Sequence, residues 1–266
     1  MRWASMLVDD LGEPLPQRMP TDRPPRVVSL VPSLTEAIAV TLPEVLVGVT
    51  DYCTHPPDLG LPRVGGSKYP SVDEVLALRP DLVVANSEEN RAEDVDRLRA
   101  NGVAVWVTAA PASVPAALGS VHRLLTAALD APAPHWLVQA QQVWQHVRPV
   151  RARAVVPVWR RPWVVLGRDT FAGDVLRRLG VANAYADHPE RYPRPPLAEL
   201  VAKLDSGAAD LVVLPDEPYA FSAEDGPEAF PHARHVLLSG RHLTWYGPSL
   251  VAARDELASA LDRVLA

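Results

Sequence analysis

The stretch Ser71-Val-Asp-Glu-Val-Leu-Ala-Leu-Arg-Pro-Asp-Leu-Val-Val-Ala85 decides the fold class. Ser71, followed three residues later by Glu74, is the signature of a capped helix start, so a helix is expected from here through Leu78. Asp81–Ala85 then reads as a strand. Working towards the N-terminus, Arg26-Val-Val-Ser-Leu-Val31 is a short apolar, β-branched run ended by Pro32, and Val45–Val49 is another strand. Between them Leu34–Thr41 has apolar residues at helical spacing, with Ser33 or Thr35 available as its cap. On the other side, Glu93–Ala100 is helical, Asn101-Gly102 ends it, and Val103–Val107 is a strand. Strands alternating with helices predict an α/β fold with a parallel sheet of the Rossmann kind.

Val114–Val147 carries no strand signal and reads as helix broken near Asp130-Ala-Pro-Ala-Pro134. Strands return at Ala154–Val158, Trp163–Leu166, Leu211–Leu214 and His235–Leu238, with helices at Phe171–Leu179 and Pro248–Leu265. The halves resemble each other. Asp81-Leu-Val-Val84 is followed at seven residues by Glu88, and Asp210-Leu-Val-Val213 is followed at seven by Glu217. The expected organisation is an N-terminal arm (1–25), an α/β lobe (26–113), a helical backbone (114–150) and a second α/β lobe (151–266). The arm, rich in proline, reads as lying over the surface or loosely ordered.

With 48% apolar and 22% charged residues among 266, the chain is globular rather than disordered. No apolar run approaches the ~20 residues that cross a bilayer. Acidic residues outnumber basic ones 32 to 26, for a net charge of −6. With no basic stripe, nucleic acid is not an expected partner. Cys53 is the sole cysteine, so no internal disulfide forms. Asp9 and Asp10 interrupt the first apolar stretch before a secretory core is reached, so a cytoplasmic location is expected unless a signal precedes this start.

Four stretches, taken in order, resemble the helical-backbone metal receptors, the class III periplasmic-binding-protein-like family. They are Arg26-Val-Val-Ser-Leu-Val-Pro-Ser-Leu-Thr-Glu36, Gly48-Val-Thr-Asp-Tyr-Cys-Thr-His-Pro-Pro57, Arg63-Val-Gly-Gly66 and Val75-Leu-Ala-Leu-Arg-Pro-Asp-Leu-Val-Val84. The resemblance covers residues 26–265 and is nearest to the cobalamin-binding branch. Trp159-Arg-Arg-Pro-Trp163 and Thr244-Trp-Tyr-Gly247 are similar to a signal-less subgroup. The resemblance implies two Rossmann-like lobes joined by a long backbone helix, with a ligand cleft between them that closes little. It also implies a substrate-binding protein for ABC importers, taking a cobalamin-type corrinoid first and haem or a ferric siderophore next. No cofactor is required; a corrinoid or haem would be bound as ligand.

Ligands of open parallel sheets lie beyond the carboxyl ends of the strands. That rule gathers Pro32 and Ser33, then Tyr52 and His55, and then Glu88, Glu89 and Asn90. From the second half it adds Trp159, Arg160, Glu217 and Tyr219. Lys68, Tyr69, Trp245 and Tyr246 complete the candidate ligand set. Aromatic rings can wall a planar macrocycle or simply fill a core. Glu88, Glu89 and Glu217 can accept hydrogen bonds from corrinoid amides or attract a cation, or can form a solvated rim. Arg160 or Arg161 can pair with an acid or grip an anionic group. His55 can be an axial metal ligand, a hydrogen-bond partner at the ligand's edge, or a cap beside Pro56-Pro57. Cys53 can ligate metal as thiolate or be a small buried residue. Asp73, Glu74 and Glu199 fall where family members dock acids onto arginines of the importer's membrane subunits; capping of their helices is the favoured role.

Gly65-Gly66 is too short for a phosphate loop, and no nucleophile elbow is present. The alternatives to a binding protein are a cytoplasmic enzyme or metallo-chaperone acting on such a compound, a Cys53–His nucleophile pair included, and an interaction module without a ligand.

Overall fold

The computed structural model describes residues 7–15 and 19–266. The remaining residues, including the start of the expected arm, lie outside the described set. The chain forms two compact α/β units. The first holds the described residues up to Ala110 with Leu118–Val138 and Tyr246–Pro248, and the second holds Pro111–Ala117, Gln139–Trp245 and Ser249–Ala266.

In the first unit β1 (Val27–Ser29), β2 (Leu46–Val49), β3 (Leu82–Asn86) and β4 (Ala104–Thr108) make a sheet in the order β2-β1-β3-β4, every pair parallel. Helices α1 (Pro32–Thr41), α2 (Val72–Ala77) and α3 (Ala92–Ala100) make the connections. Parallel strands are buried on both faces, which is why they read as continuous apolar runs rather than alternating ones. Val28, Val83, Ala85, Val105 and Val107 face one layer, with Val72, Val75, Val95 and Leu98 of α2 and α3 packed against them. Ser71 caps α2 as expected, its hydroxyl accepting from the Glu74 amide. Gly102 takes the left-handed conformation (φ +79°) that stops α3.

The described part of the arm is tied to this sheet by a buried carboxylate. Asp9, 1% exposed, accepts from the amides of Leu11 and Glu13 at 2.9 Å each and from that of Val107 at 3.2 Å, and pairs with Arg99 at 3.1 Å. A proline-rich segment without apolar periodicity is held by polar bonds instead.

In the stretch expected to be helical, α4 (Val114–Arg123) runs on into a π-turn (Leu124–Ala128). The chain breaks at Asp130 (φ +53°) and resumes as α5 (His135–Val143). The expected continuation to Val147 is not formed. Helix α5 ends beside Trp144, whose indole N–H donates to the Leu250 carbonyl.

The second unit repeats the first. It contains β5 (Ala152–Val155), β8 (Val181–Asn183), β9 (Leu211–Pro215) and β10 (His235–Leu238) in the order β10-β9-β5-β8, again parallel throughout. Counted within each unit, both sheets run second, first, third, fourth. Helices α6 (Phe171–Arg178), α7 (Leu197–Asp205), α8 (Gly240–Thr244) and α9 (Leu250–Leu265) accompany the sheet. One expectation is corrected. Ala154–Val158 is not one strand, because the chain leaves β5 and forms β6 (Pro157–Trp159), which pairs antiparallel with β7 (Val164–Val165) outside the main sheet. Trp159 and Arg160 therefore sit at a hairpin and not at the exit of a parallel strand.

Candidate functional site

The two units share the bonds that open and close their third strands. Ahead of β3, Asp81 accepts from the Arg26 amide at 2.7 Å and returns its own amide to the Arg26 carbonyl at 2.8 Å. Ahead of β9, Asp210 does the same with Arg153, at 2.8 and 2.7 Å. Six residues on, at the carboxyl ends, the Ser87 amide donates to the Thr108 carbonyl at 3.0 Å and its hydroxyl accepts from Ala110 at 3.1 Å. The Asp216 amide donates to the Leu238 carbonyl at 3.1 Å and its carboxylate accepts from Gly240 at 2.6 Å. In each case a side-chain oxygen stitches neighbouring strands just past the last ladder bond, where their unpaired amides need a partner. One residue later comes an acid: Glu88 in the first unit, Glu217 in the second.

In the first unit the acid loop is closed by two asparagines. The Asn86 side-chain oxygen accepts from the amides of Glu88 (2.8 Å) and Glu89 (3.3 Å). The Asn90 side chain accepts from the Asn86 amide at 2.7 Å and donates to the Ser67 carbonyl at 2.8 Å. Asn90, expected to touch ligand, is 7% exposed, with both ends of its amide spent on backbone. The Asn86 nitrogen donates to Thr108 at 3.0 Å and to the Tyr246 hydroxyl at 3.2 Å.

Glu89 is partly buried beside Glu88, and burial first, then that like charge, pushes its carboxyl up to about 7. Tyr246, 5% exposed, is held far above its ordinary value by burial and then by the Glu89 charge; the Ser33 hydroxyl works in the opposite sense. Ser33, in the first turn of α1, is itself 3% exposed, while Pro32 before it is half-buried. Gly247 lies so close to the Ser33 carbonyl and the buried Glu36 carboxyl that a side chain there would strike both. Ser33, Glu88, Glu89 and Tyr246 thus meet at one end of the first sheet.

The remaining first-unit candidates are spread around that edge. Tyr52 and Tyr69 are 65% and 66% exposed, a fraction unusual for large rings, and Arg91 lies 4.7 Å over the Tyr69 ring. Lys68 is exposed beside Tyr69. The half-buried His55 shares a hydrogen bond at 3.0 Å with the Thr54 hydroxyl through Nδ1. Cys53 is fully buried between the hydroxyls of Thr35 (3.0 Å) and Thr50 (3.2 Å), and burial pushes its thiol up. Among the described residues no group of three or more His, Cys, Asp or Glu is arranged to hold a metal ion.

In the second unit the Glu217 carboxylate accepts from the Trp245 indole at 3.1 Å. Burial raises the Glu217 pKa and the Asp216 charge adds to that, against the indole's donation and Arg241. A side chain at Gly240 would collide with the Glu217 backbone. Trp245 is 7% exposed, so it is no open wall. Trp159 is 45% exposed and meets Tyr219 edge-on at 5.6 Å. The Tyr219 hydroxyl donates to Asp225 at 2.5 Å. Arg160 pairs with both Asp225 and Glu228 of its own unit and lies over Trp163, which stacks on Phe221 in the core.

Of the acids matched to importer docking, Asp73 pairs with Arg97 at 2.5 Å, Glu74 is exposed in the first turn of α2, and Glu199 in the first turn of α7 accepts from Tyr185 at 2.8 Å. Asn86 was not among the sequence candidates. Its signal was the pair of asparagines bracketing Ser-Glu-Glu.

No protein-family model matches the chain. The vitamin B12-binding protein of Yersinia pestis (strain Pestoides F) is 29% identical over 187 residues, which is 66% of this chain and 65% of that protein. The chain therefore spans just under two-thirds of the length of the curated relatives it matches. Among solved structures, a periplasmic haem-binding protein from Pseudomonas aeruginosa is 25% identical with a TM-score of 0.69, covering 90% of this chain and 92% of that one. The periplasmic vitamin B12-binding protein BtuF of Vibrio cholerae is 21% identical with a TM-score of 0.68, over 90% and 97%. The fold is that of the periplasmic binding proteins. Among the described residues no helix is long and apolar enough to cross a membrane.

Proposed function

We infer, for a chain that has the class III periplasmic-binding-protein-like fold and is related in sequence to vitamin B12-binding proteins, that it binds a metal-chelate small molecule. A cobalamin-type corrinoid comes first, and haem or a ferric siderophore next. The observation that carries the reading is the repeated loop. Each sheet ends in the same pair of strand-stitching bonds, followed by an acid, Glu88 or Glu217, in the region where parallel sheets present ligands.

Glu89 and Glu217, whose charge is disfavoured by burial, are ready hydrogen-bond partners for the amide N–H groups around a corrinoid ring. The exposed rings of Tyr52, Tyr69 and Trp159 supply apolar area of the kind a macrocycle needs. The metal belongs to the ligand. The same reading makes the chain a substrate-binding protein of an ABC importer, with Asp73, Glu74 and Glu199 as the acids a membrane subunit's arginines would meet.

Absorption titration of the purified protein with aquocobalamin and, separately, with haemin tests this. A saturable shift of the corrin or Soret band is expected, weakened about tenfold by Glu89→Ala, a loss of the size of one hydrogen bond. Spectra that remain the sum of the components with both compounds overturn the reading.

A further inference from the structure

We propose that Asn86 and Tyr246 are the positioning pair of this site: the amide holds the Glu88–Glu89 turn in the form that presents both carboxyls, and the phenol holds the amide. The inference rests on the ligand-binding reading above; it adds Asn86, which was not a sequence candidate, and gives Tyr246, expected as a ligand contact, a positioning role instead.

The geometry is continuous. Asn86 is the last residue of β3 and is 2% exposed. Its oxygen takes the amides of Glu88 and Glu89, so its orientation sets the backbone of both acids. Its nitrogen is fixed by the Thr108 hydroxyl and by Tyr246, a residue 160 positions away in sequence. An amide whose two ends are both engaged cannot turn over without breaking bonds at each, and in a buried place those bonds are not replaced by water. Tyr246 is itself wedged. The next residue, Gly247, fits against Ser33 and Glu36 only because it lacks a side chain. The chain is thus anchored immediately beside the phenol. Like charges at Glu88 and Glu89 repel, and a turn left to itself would relieve that by separating them. The pair supplies the restraint.

Asn86→Ala removes several bonds of a buried group at once and endangers the fold, so Tyr246→Phe is the informative variant, keeping the ring and losing the hydroxyl. Amide hydrogen exchange on the ligand-free protein is the first readout. The Glu88 and Glu89 amides are expected to exchange about tenfold faster in the variant while Val83 and Val84 of the same strand keep wild-type protection. The second readout is affinity for aquocobalamin and haemin, expected to weaken about three- to tenfold for whichever binds wild type. Unchanged exchange at Glu88 and Glu89, acceleration throughout β3, or unchanged affinity overturns the proposal. Failure of both compounds to bind the wild-type protein overturns the ligand reading and with it the positioning role, even where the exchange result is as expected.

Discussion

Trp245 donates its indole N–H to the Glu217 carboxylate at 3.1 Å. This bond favours the charged form of an acid that its partial burial and its neighbour Asp216 otherwise hold towards the neutral one. Replacing Trp245 with Phe keeps an aromatic ring and removes the donor. The Glu217 carboxyl is then expected to titrate at higher pH than in wild type, read from its ¹³C chemical shift. An unmoved midpoint would show the indole bond to be electrically idle.

Glu89 makes stability depend on pH near neutrality. Its carboxyl titrates at about 7 in the fold, above its unfolded value. The folded chain therefore binds this proton more tightly than the unfolded one. The resulting stability is complete below the unfolded pKa and is lost as pH rises through about 7, at a cost on the order of 3 kcal/mol above it. Glu89→Gln is expected to match wild type near pH 5 and to unfold at higher temperature near pH 8.5. Thermal unfolding at the two pH values checks this.

The arm depends on Asp9. Asp9→Ala leaves the Val107 amide without its side-chain acceptor and deprives Arg99 of its carboxylate. A loss of about 2–4 kcal/mol is expected, the range for stranding buried partners of a carboxylate. Urea denaturation measures it, and limited proteolysis of the native variant should release the first residues earlier than in wild type.

Cys53 is expected to be inert. Its thiol is fully buried and its pKa is raised, chiefly by that burial, so little thiolate forms at neutral pH. Iodoacetamide is expected to label it at the unfolding rate in native buffer and at once in denaturant. Fast native labelling would revive the Cys–His nucleophile reading.

Where local pattern decides structure, the sequence was readable. The Ser71–Glu74 start of α2, the Asn101-Gly102 stop of α3 and the β3 and β9 strands all follow from neighbours within a few positions. The repeat was visible in the spacing from Asp81 to Glu88 and from Asp210 to Glu217, and the structure extends it to strand order and to side-chain bonds. What the sequence hid depends on distant partners. Val181-Ala-Asn183 is too short to announce a strand before β5 is there to pair with it. Trp159 and Arg160 were placed at the exit of a parallel strand because an antiparallel hairpin of such short pieces has no periodicity of its own. Trp245 and Tyr246 could be read as macrocycle walls or as core, and their polar ends are turned to Glu217 and Asn86, choices that only the folded chain can make. Asn90 looked like a ligand group for the same reason: an amide in an acidic loop serves either backbone or guest, and nothing nearby in the sequence decides which.

The turn from Asn86 to Asn90 has almost no slack. Its amides are claimed from within and its ends are fastened to Ser67 and Thr108. As the rim of the proposed site, a turn held in this way would not remould itself around guests of different outline. On the ligand-binding reading proposed above, a change in what is captured would then come through exchange of the side chains at 88 and 89 on this frame, so that relatives would differ in chemical taste while keeping the same aperture.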